Sequence, residues 1–393
     1  MTFDGGFLTY CTNIHPGNDW DSHKTELELH VPVIKQKVSP DEPMGLGLRV
    51  SYEMLQDLKQ NHILQEFKEW LSEEQVFVFL INGFPYGQFH RTVIKDKVHD
   101  PDWTTAERLE YSRDLCTLLS KLLPENIAEG GVSTPPLSYR HWYPSHSNKE
   151  TVKHIATRNM VQMLEYLVEL HDQTGKIIHL DVEPEPDGLL ENGAEFIQWY
   201  KEMLLPTAVN TLSNEGINEE YASAITRRHI RLCYDVCHIA VGFEDQHTLI
   251  KELNTQRIPI GRVQLSSALR LPAENHPSLL KPFDESQYLH QVVVRSDDGS
   301  LVKFPDLPVA LESREYDDME WRIHFHVPLF TKNYGGLDST QDEVIEILQI
   351  HQQKSVSRNF EIETYTWEVL PQDLQRPIKD SIAREFEFIL DLV

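Results

Sequence analysis

Along the chain, short apolar runs alternate with longer segments of helical periodicity, and each run stops at a polar or glycine-containing cluster. Eight runs recur: "GFLTYCTNIHPG" from Gly6, "GLGLRVS" ending at Ser51, "VFVFLINGFPYG" from Val76, "GGVSTPP" from Gly130, "KIIHLDVEPEP" from Lys176, "IRLCYDVCH" from Ile230, "GRVQLSS" from Gly261 and "NFEIETYTW" from Asn359. Segments such as "YEMLQDLKQNHILQEFKEWLSE", "ERLEYSRDLCTLLSKLL" and "NKETVKHIATRNMVQMLEYLVELHDQTG" place apolar residues at helical spacing between them. Strands that alternate with helices pair in parallel through crossovers, and eight such units predict an α/β chain closed into a (β/α)8 TIM barrel. A doubly wound open sheet would share the alternation but carry a glycine-rich phosphate turn, and neither GxGxxG nor GxxxxGK[ST] occurs. The pattern predicts one domain over 1–393, with an insertion over 271–320 between the seventh and eighth strands. Within the insertion, "QYLHQVVVRSDDGSLVKFPDLPVAL" reads as a β-hairpin turning at Asp298-Gly299. "FHRTVIKDKVHDPDWTT", after the third strand, is long for a βα loop and suits a cover over a site.

Side chains alternate faces along a strand, so in "HLDVE" the apolar Ile178, Leu180 and Val182 share one face and His179, Asp181 and Glu183 the other. With the apolar face on the helices, the polar face points into the barrel and Glu183 lies nearest the C-terminal mouth, where barrel enzymes place their chemistry. The same parity brings Asp235 and Glu363 inward near the mouth. His238 follows Asp235 by three residues as the strand breaks, and in "WRIHFHVPLF" His324 and His326 are two apart, on one side of an extended backbone. Inward acids repel each other and lose hydration unless a cation relieves them. A divalent metal does so, and mixed carboxylate and imidazole ligation suits Mn, Zn, Fe or Co better than Ca or Mg. The competing reading is a structural ion network, in which Glu185 caps its loop and Glu361 pairs with a basic residue lower in the barrel. His15 and His90 are candidate ligand contacts, Arg262 a candidate partner for a phosphate or carboxylate, and Phe84, Tyr86, Trp103, Tyr365 and Trp367 aromatics near the mouth.

Composition narrows the function. With 40% hydrophobic and 25% charged residues over 393 positions the chain can bury an ordinary core. Sixty-two acidic against 36 basic residues give a net charge of −26, a field that repels phosphate backbones and argues against nucleic acid as partner. Cys11, Cys116, Cys233 and Cys237 are too scattered for a disulfide framework. No run of about 18 apolar residues suggests membrane insertion. The first residues, "MTFDGGFLTYCTNIHPGNDW", do not read as a secretion signal, so a cytoplasmic protein is expected.

The order "LDVEPEP", "YDVCH", "VQLSS", "HFHVPLF", "EIETYTW" resembles the xylose-isomerase-like barrels, which include sugar isomerases, keto-sugar epimerases and endonuclease IV. "YCTNIHPGNDW", "INGFPYGQFH" and "DKVHDPDWTTAERLEYSRDL" extend the likeness over nearly the whole chain to the EboE family of metabolite traffic proteins. The resemblance implies metal ligands at Glu183, Asp235, His238 and Glu363, with Glu183 and Glu363 also facing opposite sides of a substrate carbon as an acid/base pair. It places a histidine ligand on the seventh strand, where this chain has Gln264, an uncharged and weaker donor that His324 or His326 would have to replace. The functions implied are proton transfer on a small metabolite, or carriage of that metabolite to other proteins of one pathway. An endonuclease IV-like phosphoesterase would need further histidines where Arg49, Ser51, Ile81 and Asn82 stand.

Overall fold

The computed structural model describes residues 2–372 and 374–393. Eight parallel strands carry the architecture: β1 (Gly6–Tyr10), β2 (Met44–Arg49), β3 (Val76–Asn82), β4 (Glu129–Thr134), β5 (Ile177–Val182), β6 (Ile230–Asp235), β7 (Ile260–Leu265) and β8 (Asn359–Ile362). Their order is β1-β8-β7-β6-β5-β4-β3-β2, each neighbour hydrogen-bonded in parallel. A parallel bridge between Cys11 and Gly47 joins β1 to β2, so the ring is a nearly closed (β/α)8 barrel. Closure there requires glycine, because a Cβ on Gly47 would lie 2.0 Å from Glu361 Oε1 and 2.9 Å from the Tyr10 carbonyl oxygen.

Helices lie between successive strands, Trp20–Val38, Ala106–Leu122 and His146–Thr174 among the longest. Asp19, Thr105 and Ser145 cap their N-termini through side-chain oxygens, and Gly175, at φ 71°, ends the last of them in the left-handed region. The segment from Tyr52 to Glu73 is two helices rather than one, Tyr52–Leu58 and Asn61–Glu73, because Gln60 is extended and becomes the N-cap of the second.

The apolar faces of the strands and the inner faces of the helices form one continuous core. Inside the barrel the filling is polar. The Arg262 guanidinium crosses it and donates to Asp181 Oδ2 (3.0 Å), Glu361 Oε2 (3.0 Å) and the Ile81 carbonyl (3.0 Å), while His179 Nδ1 lies 2.6 Å from Asp181 Oδ1. Contacts from β7 to β3, β5 and β8 can form only if these side chains point inward, as the alternation along "HLDVE" requires. Glu361 thus has the basic partner expected lower in the barrel. Burial alone would drive Arg262 toward its neutral form, but Glu361 and Asp181 outweigh it and hold the guanidinium protonated.

A second, antiparallel sheet of five strands lies between β7 and β8, in the order Leu301–Phe304, Val292–Arg295, Glu320–His326, Ala268–Leu271, Asp338–Ser339. Its hairpin pairs Val292 with Phe304 and Arg295 with Leu301 around a turn that includes Asp298 and Gly299, the latter at φ 83°. The sheet starts three residues after β7. Its central strand carries His324 and His326, and a register irregularity between Ile323 and His326 brings His326 opposite Ala268 at the barrel mouth.

Candidate functional site

Three carboxylates meet at the C-terminal mouth. Glu183 follows β5, Asp235 ends β6 and Glu363 follows β8, each almost fully buried, and one oxygen of each lies within 4.8 Å of those of the other two. Local structure aims them. The Glu183 and Glu363 backbone N–H groups continue the parallel ladders to the carbonyls of Thr134 (3.0 Å) and Leu265 (3.0 Å). Asp235 caps the short helix Val236–Val241, its Oδ1 accepting from His238 N (2.9 Å) and Ser266 Oγ (2.8 Å). Glu363 Oε1 accepts from Asn13 Nδ2 (2.7 Å) and Asn82 Nδ2 (3.1 Å).

Electrostatics separates the three. Burial, then the Asp235 charge, pushes Glu183 well above the usual carboxylate range, and burial, then Glu183 and Asp235, does the same to Glu363. Burial also acts on Asp235, but the facing His238 and His326 rings and the two hydrogen bonds outweigh it and hold Asp235 low.

The imidazoles have fixed tautomers. His238 Nδ1 lies 3.0 Å from the Pro184 carbonyl and His326 Nδ1 3.0 Å from the Glu363 carbonyl. A carbonyl only accepts, so each Nδ1 carries the hydrogen. Gln291 Nε2 donates to the Pro186 carbonyl (3.0 Å), which leaves its Oε1 to accept from His324 Nδ1 at 2.8 Å. All three rings therefore present bare Nε2 lone pairs when neutral, and burial holds each below its ordinary pKa, His326 down to about 4. His238 Nε2 and His324 Nε2 face each other at 3.1 Å, two acceptors that need a proton or a cation between them. The spacing suits a cation bonded at about 2.0–2.1 Å to each nitrogen.

A divalent metal fits this arrangement. Glu183 Oε2, Asp235 Oδ2 and His326 Nε2 are buried without a hydrogen-bond partner. Outward hydrogen bonds from ligating histidines to carbonyls are the usual support of a metal shell. The donors form overlapping groups, Glu183/Asp235/Glu363 and Asp235/His238/His326, with Glu185 near His238 and His324 and Cys237 near His324 and His326. Gln264, level with Asp235 and Glu361 in the sheet, is turned away from ligation: its Oε1 accepts the Cys233 thiol (2.7 Å) and its Nε2 has no partner. Rotation of the amide by a half-turn would exchange those roles.

Above the donors lies a small cavity of ≈ 70 Å³. It holds a hydrated ion or a few atoms as it stands, so a larger ligand enters only when the covering segments part. These are the loop after β3 and the residues flanking the Val292–Phe304 hairpin, clasped by Lys95 Nζ on Asp306 Oδ2 (2.7 Å), Ile94 N on the Gln287 carbonyl (2.9 Å) and Arg91 N on Gln287 Oε1 (3.1 Å).

Of the sequence candidates, Glu183, His238, His324, His326 and Glu363 line this cavity, with Phe84 and Tyr365 among the aromatics. The others lie outside the lining. Arg262 is committed below, in the barrel interior. His15 is bound to Tyr10 Oη at 3.0 Å and stacked on His30 at 4.9 Å. His90 contacts the Asn13 carbonyl (2.5 Å) and Tyr288 Oη (3.3 Å), bracing the residue that holds Glu363. Tyr86 stacks on Tyr52, and Trp367 on Phe330. Sequence reasoning missed Asn13, Gln291 and His99 as lining residues and read Asn82 only as the lack of a histidine. Lone amides carry no periodic signal, and Asn13 reaches Glu363 across 350 positions of sequence.

No family model matches the chain, and no curated protein does. Solved structures similar in overall shape include the IOLI protein with a bound zinc atom (13% identity, 98% of each chain, TM-score 0.49) and a D-tagatose 3-epimerase-like protein (12%, 98% of this chain and 96% of that one, 0.49). A xylose isomerase domain protein from Alicyclobacillus acidocaldarius is another (10%, 98% and 97%, 0.46).

Proposed function

We propose that this barrel binds a divalent transition metal at its mouth and catalyses proton transfer next to a carbonyl or hydroxyl of a small metabolite, as an isomerase or epimerase. The observation that carries the reading is the convergence of Glu183, Asp235 and Glu363 within 4.8 Å, with a buried oxygen on Glu183 and on Asp235 that has no partner. The ligands would be those three carboxylates with His238 and His326, and His324 taking the place that Gln264 leaves unfilled. When bound, the metal supplies Lewis-acid polarisation of a substrate oxygen. Glu183 and Glu363 take and return the carbon-bound proton. Asn13 and Asn82 fix one oxygen of Glu363. The covering loops exclude water while the proton is held. The net charge of −26 argues against nucleic acid as substrate.

Gln264 favours a second reading. A donor shell without a seventh-strand histidine suits a protein that holds a metabolite without turning it over, and the resemblance to EboE-type metabolite traffic proteins fits such a carrier, with other proteins of one pathway as partners. One experiment separates the two: metal-loaded protein in deuterated water with hydroxy-ketones and hydroxy-acids. Deuterium entering at the carbon beside the carbonyl, and lost in Glu363→Gln, supports catalysis. Bound metal with no exchange on any of them rejects it in favour of the carrier.

A further inference from the structure

Three aromatic rings form one wall above the donors. Phe89 comes from the loop after β3, Tyr288 from the loop leading into the strand Val292–Arg295 and Tyr365 from the loop after β8, and each pair of ring centroids is 5.2 Å apart at 44°, 64° and 73° between planes. With Ile94 and Val98 around them they form a small apolar cluster separate from the main core. The Tyr365 ring stands 4.6 Å from that of His326, so the apolar wall begins beside the nitrogen donors.

Several polar groups of the same wall are already engaged, while His99 Nδ1 and, at the donor end, the Oδ1 atoms of Asn13 and Asn82 have no partner. Lys95 is paired with Asp306, and His99 lies 3.0 Å from Glu185. Gln291 is used at both ends, by Pro186 and His324. Each ligand hydroxyl buried without a partner carries its desolvation cost, so a wall with few free polar groups disfavours a chain of them. A planar apolar group needs none and gains offset or edge contacts with rings at this spacing.

We infer that the ligand is a hydroxy-carbonyl compound bearing an aromatic substituent, its oxygens at the carboxylate and imidazole end and its ring among Phe89, Tyr288 and Tyr365, rather than a polyhydroxylated sugar. The inference rests on the proposed metal centre for the head group and takes nothing from whether proton transfer occurs. Two of the three rings sit on the covering segments, so the ligand's ring enters as those segments part and replaces contacts the rings make with each other.

The test is calorimetric binding to Mn²⁺-loaded protein with two probes, 1-hydroxy-3-phenylpropan-2-one and fructose. The phenyl ketone is expected to bind at least about tenfold more tightly, and Phe89→Ala to weaken it about tenfold with manganese content unchanged. Phe89→Leu, which keeps the bulk and removes the ring, serves if the alanine variant does not fold. Equal affinities, tighter fructose, no binding of either probe, or indifference to both Phe89 changes would overturn the inference. Binding of the phenyl ketone without solvent exchange would reject the catalytic reading and leave this one standing, whereas exchange on fructose alone would do the reverse.

Discussion

Glu363 is held by two amides that approach it from β3 and from the loop after β1, and its usefulness as a ligand depends on them. Groups that orient a ligand typically change metal affinity 10–100-fold when removed. Asn82→Ala, which deletes the 3.1 Å donor to Oε1, is therefore expected to weaken metal binding roughly 10–100-fold by competitive titration, with little change in fold. A different carboxylate tests the electrostatics. Glu385, buried on the helix Ile378–Leu390, accepts from Thr364 Oγ1 (2.7 Å) and the Leu329 N–H (3.3 Å), and burial pushes it up to about 8 from an ordinary 4.5. Between those pH values the folded chain binds a proton that the unfolded chain does not. Stability then falls by about 1.4 kcal/mol per pH unit as pH rises through the window, a few kcal/mol in all. Glu385→Gln keeps an acceptor and removes that slope, so in denaturant titrations its advantage over the parent should grow from pH 5 to pH 8. An advantage independent of pH would contradict the assignment.

At the scale of strands and helices, the barrel interior depends on small residues beside large charged ones. A Cβ on Gly261 of β7 would lie 1.8 Å from Asp181 Oδ1, and that carboxylate cannot retreat because Arg262 and His179 hold it. Gly261→Ala should cost several kcal/mol by chemical denaturation, overpacking together with a broken buried ion pair. The same comparison explains what the sequence made legible. Period-two alternation in β5, β6 and β8 announced which residues face inward, because the apolar residues between them have the helices to cover them. Of the second sheet, the hairpin turning at Asp298-Gly299 and the extended run carrying His324 and His326 were legible. Its other pairings are non-local, and its edge strand Asp338–Ser339 is two residues long, too short to show any period. Likewise the apolar spacing from Tyr52 to Glu73 gave no sign of the break at Gln60, since buried apolar residues recur at helical spacing in both helices.

Over the whole molecule, the barrel supplies donors from β5, β6 and β8, the inserted sheet adds His324 and His326, and the two covering segments clasp over them. Among the described residues no helix is long and apolar enough to cross a membrane. The acidic surface favours approach of cations to the mouth. The Lys95–Asp306 pair is partly exposed and worth about 1 kcal/mol or less. Lys95→Met should therefore speed amide hydrogen exchange at Ile94 and Lys95, which donate to the Gln287 carbonyl, by up to about fivefold without moving exchange in the barrel strands. The central claim is that acids and imidazoles from separate strands share a cation at the mouth, and elemental analysis of purified protein tests it most directly. The parent is expected to retain a transition-metal ion through dialysis and the Glu183→Gln, Asp235→Asn double variant to lose it while remaining folded. A double variant that keeps the parent's full metal content, or a parent that binds no divalent ion when one is supplied, would contradict the account.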